Sequence, residues 1–241
     1  MSIDVILMGL AFITIHLLAN DLIPAGRDKR MKWFSFSGGL AVSYVFVYVL
    51  PTLHKEQIIA KKHGDFFTME SELYFVGLIG LLVFFAIQKV VRNAQNRNEE
   101  RKAVLLFWLQ ILFFGIYNML VAYTVISHQV LGIQAVFYGL AVGLHFIAVA
   151  HDLWLEYEEI YNKYGRYVLA AGIVAGWFLG TAVSLPPLGE AAIFAFISGA
   201  MILNVIKYEL PPDEEAHLGV FTAGVVFYTT VTMSLKFFFQ W

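Results

Sequence analysis

Eight long apolar runs follow one another along the chain, and that pattern leaves few ways to fold. They cover 5–23, 34–53, 73–91, 103–126, 130–154, 167–185, 191–206 and 218–239. A helix needs ~20 apolar residues to cross a bilayer, so eight crossings consume about two-thirds of the chain. Hydrophobic residues make up 59% and charged residues 14% of the 241 positions, an excess that a single water-soluble core cannot hide. The arithmetic excludes a nucleic-acid binder, a secreted disulfide scaffold and a soluble enzyme. A lipid-facing backbone must satisfy its own hydrogen bonds, and the short alternating segments of a membrane barrel are absent, so the runs are expected to be helices. The fold class expected is therefore all-α and polytopic, one transmembrane domain over residues 1–241.

No cysteine is present, which removes disulfides and thiolate metal sites. The opening Met1-Ser2-Ile3-Asp4 carries no basic region, so the first run is expected to stay as a helix. Pro24, Pro51, Pro186-Pro187 and Pro211-Pro212 punctuate the runs. Residues 54–72 and 92–102 read as polar loops, and the other links are short. With the N-terminus outside, twelve of the sixteen Lys and Arg residues fall on the inner side, so both termini are expected to be extracytoplasmic.

An internal echo appears between the second and seventh runs. Ser37-Gly38-Gly39 is followed by Pro51, and Ser198-Gly199-Ala200 by Pro212, each pair 161 positions apart. Opposed directions for these two helices make an inverted-topology repeat, helices one to three against six to eight with four and five central.

The chain resembles the ZIP family of divalent metal transporters. The likeness rests on the Gly-rich second helix ending in Leu50-Pro51, on Gly77 through Gln88-Lys89 in the third, where Gln88 stands in place of the usual Glu, and on the Gly-to-Leu-Pro copy in the seventh. The family pattern in helices four and five is His-Asn-x-x-(Asp/Glu)-Gly and then (His/Gln)-(Glu/Asp)-x-x-(His/Glu). Tyr117-Asn118-Met119-Leu120-Val121 matches it at Asn118, and His145-Phe146-Ile147-Ala148-Val149 at His145; Val121, Phe146 and Val149 occupy the acidic bridging positions. The resemblance implies eight crossings, a non-enzymatic permease for a small divalent cation of the zinc or iron class, a bilayer environment, and a homodimer as one permitted assembly.

The residues themselves nominate a site in helix five. At 100° per residue, His145, Asp152 and Glu156 lie at about 0°, −20° and +20°, one stripe of imidazole and carboxylate ligands. Roughly 10 Å of rise separates His145 from Asp152, so the stripe suits stepping sites rather than one cage. The metal-ligand candidates are thus His145, Asn118, Asp152 and Glu156. Each has a plainer alternative: a solvated helix end for the carboxylates, a packed histidine for His145, and an amide joining helices four and five for Asn118. His16 and Asn20 share a face of helix one, where packing is favoured over metal binding, and Asn204 and Lys207 share one of helix seven. His54, Glu56, His63 and Asp65 form a loose outer cluster that reads as a solvated loop. Two further functions stay open: a non-transporting homologue acting as membrane partner or sensor, and a haem or other cofactor protein using His16 and His145.

Overall fold

The structure is a computed structural model that describes residues 2–63, 71–95, 100–127, 132–210 and 216–239. Every element among the described residues is helical. Helix α1 (Ile3–Leu18) starts where the Ser2 side chain accepts from the Val5 amide, and it ends in a 3-10 turn, Ala19–Leu22. Helix α2 (Arg27–Tyr44) runs through a π-helical turn, Val45–Val49, into α3 (Leu50–His63). Helices α4 (Glu72–Gln95) and α5 (Glu100–Ser127) follow, then α6 (Gly132–Ile160) with a non-helical Tyr157 near its end. A second π turn, Tyr161–Gly165, leads into α7 (Arg166–Ala182). Helix α8 (Pro187–Asn204) ends in a third, Val205–Glu209, and α9 (Leu218–Phe239) completes the chain.

Among the described residues six helical stretches are long and apolar enough to cross a membrane: Arg27–Lys62, Glu72–Asn93, Val104–Ser127, Gly132–Ala182, Pro187–Glu209 and Leu218–Phe238; Ile3–Leu18 is apolar but shorter. The 51-residue stretch Gly132–Ala182 is more than twice the length that one crossing of ~30 Å needs at ~1.5 Å per residue.

Several boundaries differ from the sequence reading. The expected loop 54–72 is helical through His63, and the stretch 92–102 is helical through Gln95 and again from Glu100. Polar sequence ends a membrane crossing without ending a helix, because water satisfies exposed side chains while the backbone ladder continues. Pro51 does not close the second helix either. It lacks the N–H that would bond to the carbonyl of Val47, and Lys236 Nζ on α9 donates to that oxygen at 2.7 Å. The seventh run extends past Ile206 to Glu209.

Between lipid-solvated helices, apolar burial supplies little net drive, and close backbone approach at small residues does the packing. Three crossings show it. A Cβ on Gly199 of α8 would lie 1.8 Å from Gly77 O on α4; one on Gly39 of α2 would lie 2.2 Å from Phe221 O on α9; one on Gly176 of α7 would lie 2.1 Å from Met119 O on α5. At the α2/α9 crossing the hydroxyls of Ser43 and Thr229 also pair at 2.6 Å. The crossings α2/α9 and α4/α8 leave α9 and α4 as the least covered helices, 17% and 28% buried. Glycines 39 and 199 stand 160 positions apart, and so do the π turns Val45–Val49 and Val205–Glu209, one residue less than the offset read from the Ser-Gly motifs.

The centre of the bundle is filled by Phe12, Leu40, Phe107, Ile111, Val121, Phe146 and Leu169, all essentially inaccessible. Gly132, with φ +61°, opens α6, and its N–H donates to Asp4 at 2.8 Å, fixing that helix to the start of α1. Gln57 of α3 accepts from the Leu73 amide at 2.7 Å and donates to Glu72 at 2.9 Å, capping α4.

Candidate functional site

Residue 145 lies mid-way along α6, and the 3.6-residue repeat turns it towards the end of α8. His145 is 2% exposed. Its Nδ1 meets the carboxylate of Glu209, itself 5% exposed, and its Nε2 lies 3.3 Å from Tyr117 Oη. With Glu209 ionised, Nδ1 carries the ring hydrogen and Tyr117 donates to Nε2. Burying a carboxylate in a bundle is costly unless it is paired, and the imidazole is the pairing group.

Beside this pair, α4, α5, α6 and α8 enclose a crevice of about 20 Å³, room for roughly one water. Three carboxylates line it, Asp152, Glu156 and Glu209, with three amides, Gln88, Gln110 and Asn204. Glu156 sits at its exposed mouth, where Gln110 Nε2 donates to it at 3.3 Å. Gln88 joins two helices: its Nε2 donates to Asn204 Oδ1 at 3.2 Å and its Oε1 accepts from Lys207 Nζ at 3.0 Å. The Lys207 ammonium also lies over the rings of Phe85 and Tyr208, 5.5 Å and 5.2 Å from their centroids. Hard oxygen donors around a crevice suit a cation, and an imidazole beside them broadens the choice of metal.

The four sequence-derived candidates do not converge. Asp152 and Glu156 share the crevice, and His145 reaches it through Glu209. Asn118 belongs elsewhere: its Nδ2 donates to His16 Nε2 at 2.8 Å and to Leu169 O at 3.3 Å, joining α5 to α1 and α7 rather than to α6. Residues 117 and 118 are neighbours in sequence but point about 100° apart on the helix, so Tyr117 takes the side facing His145. His16 lies against Asn118, and α1 stops at Leu18, before Asn20, whose side chain lies outside the described residues. The rings of His16 and His145 both pack on Phe146, with centroids 4.8 Å and 5.9 Å away. Among the residues that stand where the family has acidic bridges, Val121 and Phe146 are core and Val149 lines the crevice. Among the described residues no group of three or more His, Asp and Glu is arranged around one metal position.

Glu209 is the crevice residue that the sequence did not point to. Ending the seventh run at Ile206 left it outside the membrane; the signal was a carboxylate directly before Leu210-Pro211, at the point where the second run still continues. His151 packs between Phe34 and Trp154, at centroid distances of 5.4 Å and 5.8 Å, away from the crevice. In the outer cluster His54 Nδ1 pairs with Tyr74 Oη at 2.9 Å, while the side chain of His63 and all of Asp65 lie outside the described residues.

A family model described as "Protein of unknown function (DUF3270)" matches residues 80–154, the stretch that runs from α4 through α5 to most of α6. No curated protein and no solved structure matches the chain.

Proposed function

We propose that the chain is a ZIP-like membrane permease that moves a divalent cation along the acidic crevice between α4, α5, α6 and α8. In this reading the bent stretch Gly132–Ala182 makes two crossings and Ile3–Leu18 makes one more, which with the other five long helices gives eight. The excess of inner Lys and Arg supports outward termini. The inverted repeat is supported by the two five-residue π turns 160 positions apart and by exchange of crossings: mapping α2 onto α8 and α4 onto α9 turns α2/α9 into α8/α4.

One observation carries the functional reading: three carboxylates line one crevice between apolar helices and a histidine pairs with one of them, where each ionisable group within a membrane costs a few kcal/mol of insertion free energy. The cation steps between Glu156, Asp152 and Glu209 without being held in one closed cage, and His145 releases or retains the Glu209 carboxylate as the ion passes. The test is uptake into proteoliposomes carrying an internal metal indicator, with Zn²⁺, Fe²⁺ and Mn²⁺ supplied outside. Uptake by the unmutated protein and background uptake by Glu209→Gln and Asp152→Asn is the expected result.

A second reading, a non-transporting homologue, is favoured by one contact: Asn118 is committed to His16 and the Leu169 carbonyl. It predicts background uptake for the unmutated protein with all three ions, which ends the transport reading.

A further inference from the structure

The carboxylates of the acidic crevice have a cation of their own chain beside them. Lys207 stands two residues before Glu209 on the π turn Val205–Glu209, so one turn of backbone carries both a crevice carboxylate and an ammonium. The Lys207 side chain is partly buried. A lysine near a helix end ordinarily runs its stem along apolar surface and leaves its head in water. This head is engaged by three side chains: Nζ donates to Gln88 Oε1 at 3.0 Å and lies 5.5 Å and 5.2 Å from the ring centroids of Phe85 and Tyr208. Amide oxygen and aromatic faces are the partners that hold a cation against protein.

Two of those partners, Gln88 and Tyr208, line the crevice. The ammonium therefore lies one side chain back from the carboxylates, and it interacts electrostatically with Glu156 at the mouth. Gln88 carries the contact on to Asn204, another lining residue, its Nε2 donating to Asn204 Oδ1 at 3.2 Å. The exposed Arg92 is a second cation near this edge, hydrogen-bonded to the Tyr208 side chain. Lys207 differs from it in sharing a turn with Glu209, so the two charges move together. A positive charge fixed here has two effects. With the crevice empty it offsets the repulsion among Asp152, Glu156 and Glu209; with a divalent ion entering, it repels that ion through the same stretch of protein.

We propose that Lys207 is the resident counter-ion of the empty crevice and the rival of the divalent ion that fills it. Its ammonium balances the carboxylates when no metal is bound, and it weakens metal binding enough for the ion to leave. The inference rests on the reading of the crevice as a cation path and adds how that path is regulated. An ion held too tightly is not delivered, and carboxylates left unbalanced after delivery are costly within a membrane.

The test compares the full-length protein with Lys207→Met, which keeps the apolar stem and removes the charge, and with Lys207→Arg, which keeps the charge. Calorimetric titration of Zn²⁺ and Mn²⁺ in neutral detergent should show binding about tenfold tighter in Lys207→Met, and within about threefold of the parent in Lys207→Arg. Should Lys207→Met not fold, Lys207→Gln carries the same expectation, since its amide can still donate to Gln88. In proteoliposomes the neutral variant should lose net Zn²⁺ uptake yet still exchange labelled external Zn²⁺ for internal Zn²⁺, because a loaded crevice needs no counter-ion. A purely structural role weakens binding in the neutral variants and lowers net uptake and exchange together. Equal affinity of parent and neutral variants, the same tightening in Lys207→Arg, or parallel loss of uptake and exchange overturns the assignment while leaving transport by the parent intact. Tighter binding in the neutral variants beside a parent that takes up no ion upholds Lys207 as counter-ion and ends the transport reading. No binding by parent or variants ends both.

Discussion

The α4/α8 crossing offers a sharp comparison, because two glycines face each other there and the space beside them is unequal. An alanine Cβ at Gly199 would lie 1.8 Å from Gly77 O and 2.6 Å from Gly77 C, both backbone atoms that cannot turn aside. Restoring ordinary contact means parting the helices by well over 1 Å, and a gap of that size forfeits about half of the dispersion energy along the seam. Overpacking of this kind costs about 3 kcal/mol. Alanine returns up to about 1 kcal/mol of helix propensity, so Gly199→Ala should lose about 2 kcal/mol net, roughly a thirtyfold shift towards unfolding. At Gly77 the nearest atom, Ala195 O, is 3.2 Å away, and a few tenths of an ångström of give suffices. Gly77→Ala should therefore stay within about 1 kcal/mol of the parent, its propensity gain offsetting the squeeze. Reversible unfolding in mixed dodecylmaltoside and SDS micelles, followed by tryptophan fluorescence, measures both. Equal stability of the two variants, or a larger loss at Gly77, would refute the reasoning.

Three further outcomes follow from individual contacts. Lys236→Met should cost about 1 kcal/mol by leaving the Val47 carbonyl unanswered, and that cost should disappear in a Pro51→Ala background, where the restored N–H takes over; a double-mutant cycle in the same micelles reads the coupling. Asn118→Leu should lose about 1–2 kcal/mol, since His16 Nε2 and Leu169 O both forfeit their donor, while leaving cation binding at the crevice intact in calorimetric titrations. Gln88→Glu adds a fourth carboxylate beside Asp152, Glu156 and Glu209 and should tighten Zn²⁺ or Mn²⁺ binding about tenfold by isothermal titration.

Much of the architecture was legible from apolar run length alone: the runs 73–91, 103–126 and 218–239 fall within α4, α5 and α9, because a bilayer demands about the same number of apolar residues wherever a helix crosses it. What run length cannot report is where a helix goes after it leaves the oil. Lysines 55, 61 and 62 are compatible with either loop or helix, and α3 continues through them. Proline is a breaker only when nothing answers the carbonyl it abandons, and Lys236, 185 positions from Pro51, does so. The candidate crevice was half visible. Helical spacing aligned Asp152 and Glu156, which line it, with His145, whereas Glu209 comes from a different helix and no periodicity within α6 can reveal it. Asn118 is the residue of its segment that matches the family pattern, yet its side chain faces α1 and α7, which a pattern within one helix cannot report.

The π turn at the end of α8 has a geometric consequence for the buried contact between Glu209 and His145. Such a turn holds one residue more than an α turn, and each residue is worth about 100° around the axis. Were Val205–Glu209 to tighten into regular α-helix, everything after it would rotate by about a quarter turn, and the carboxylate now against His145 would swing towards another flank of the bundle. The same loose winding recurs at Val45–Val49, in the helix that bears Pro51.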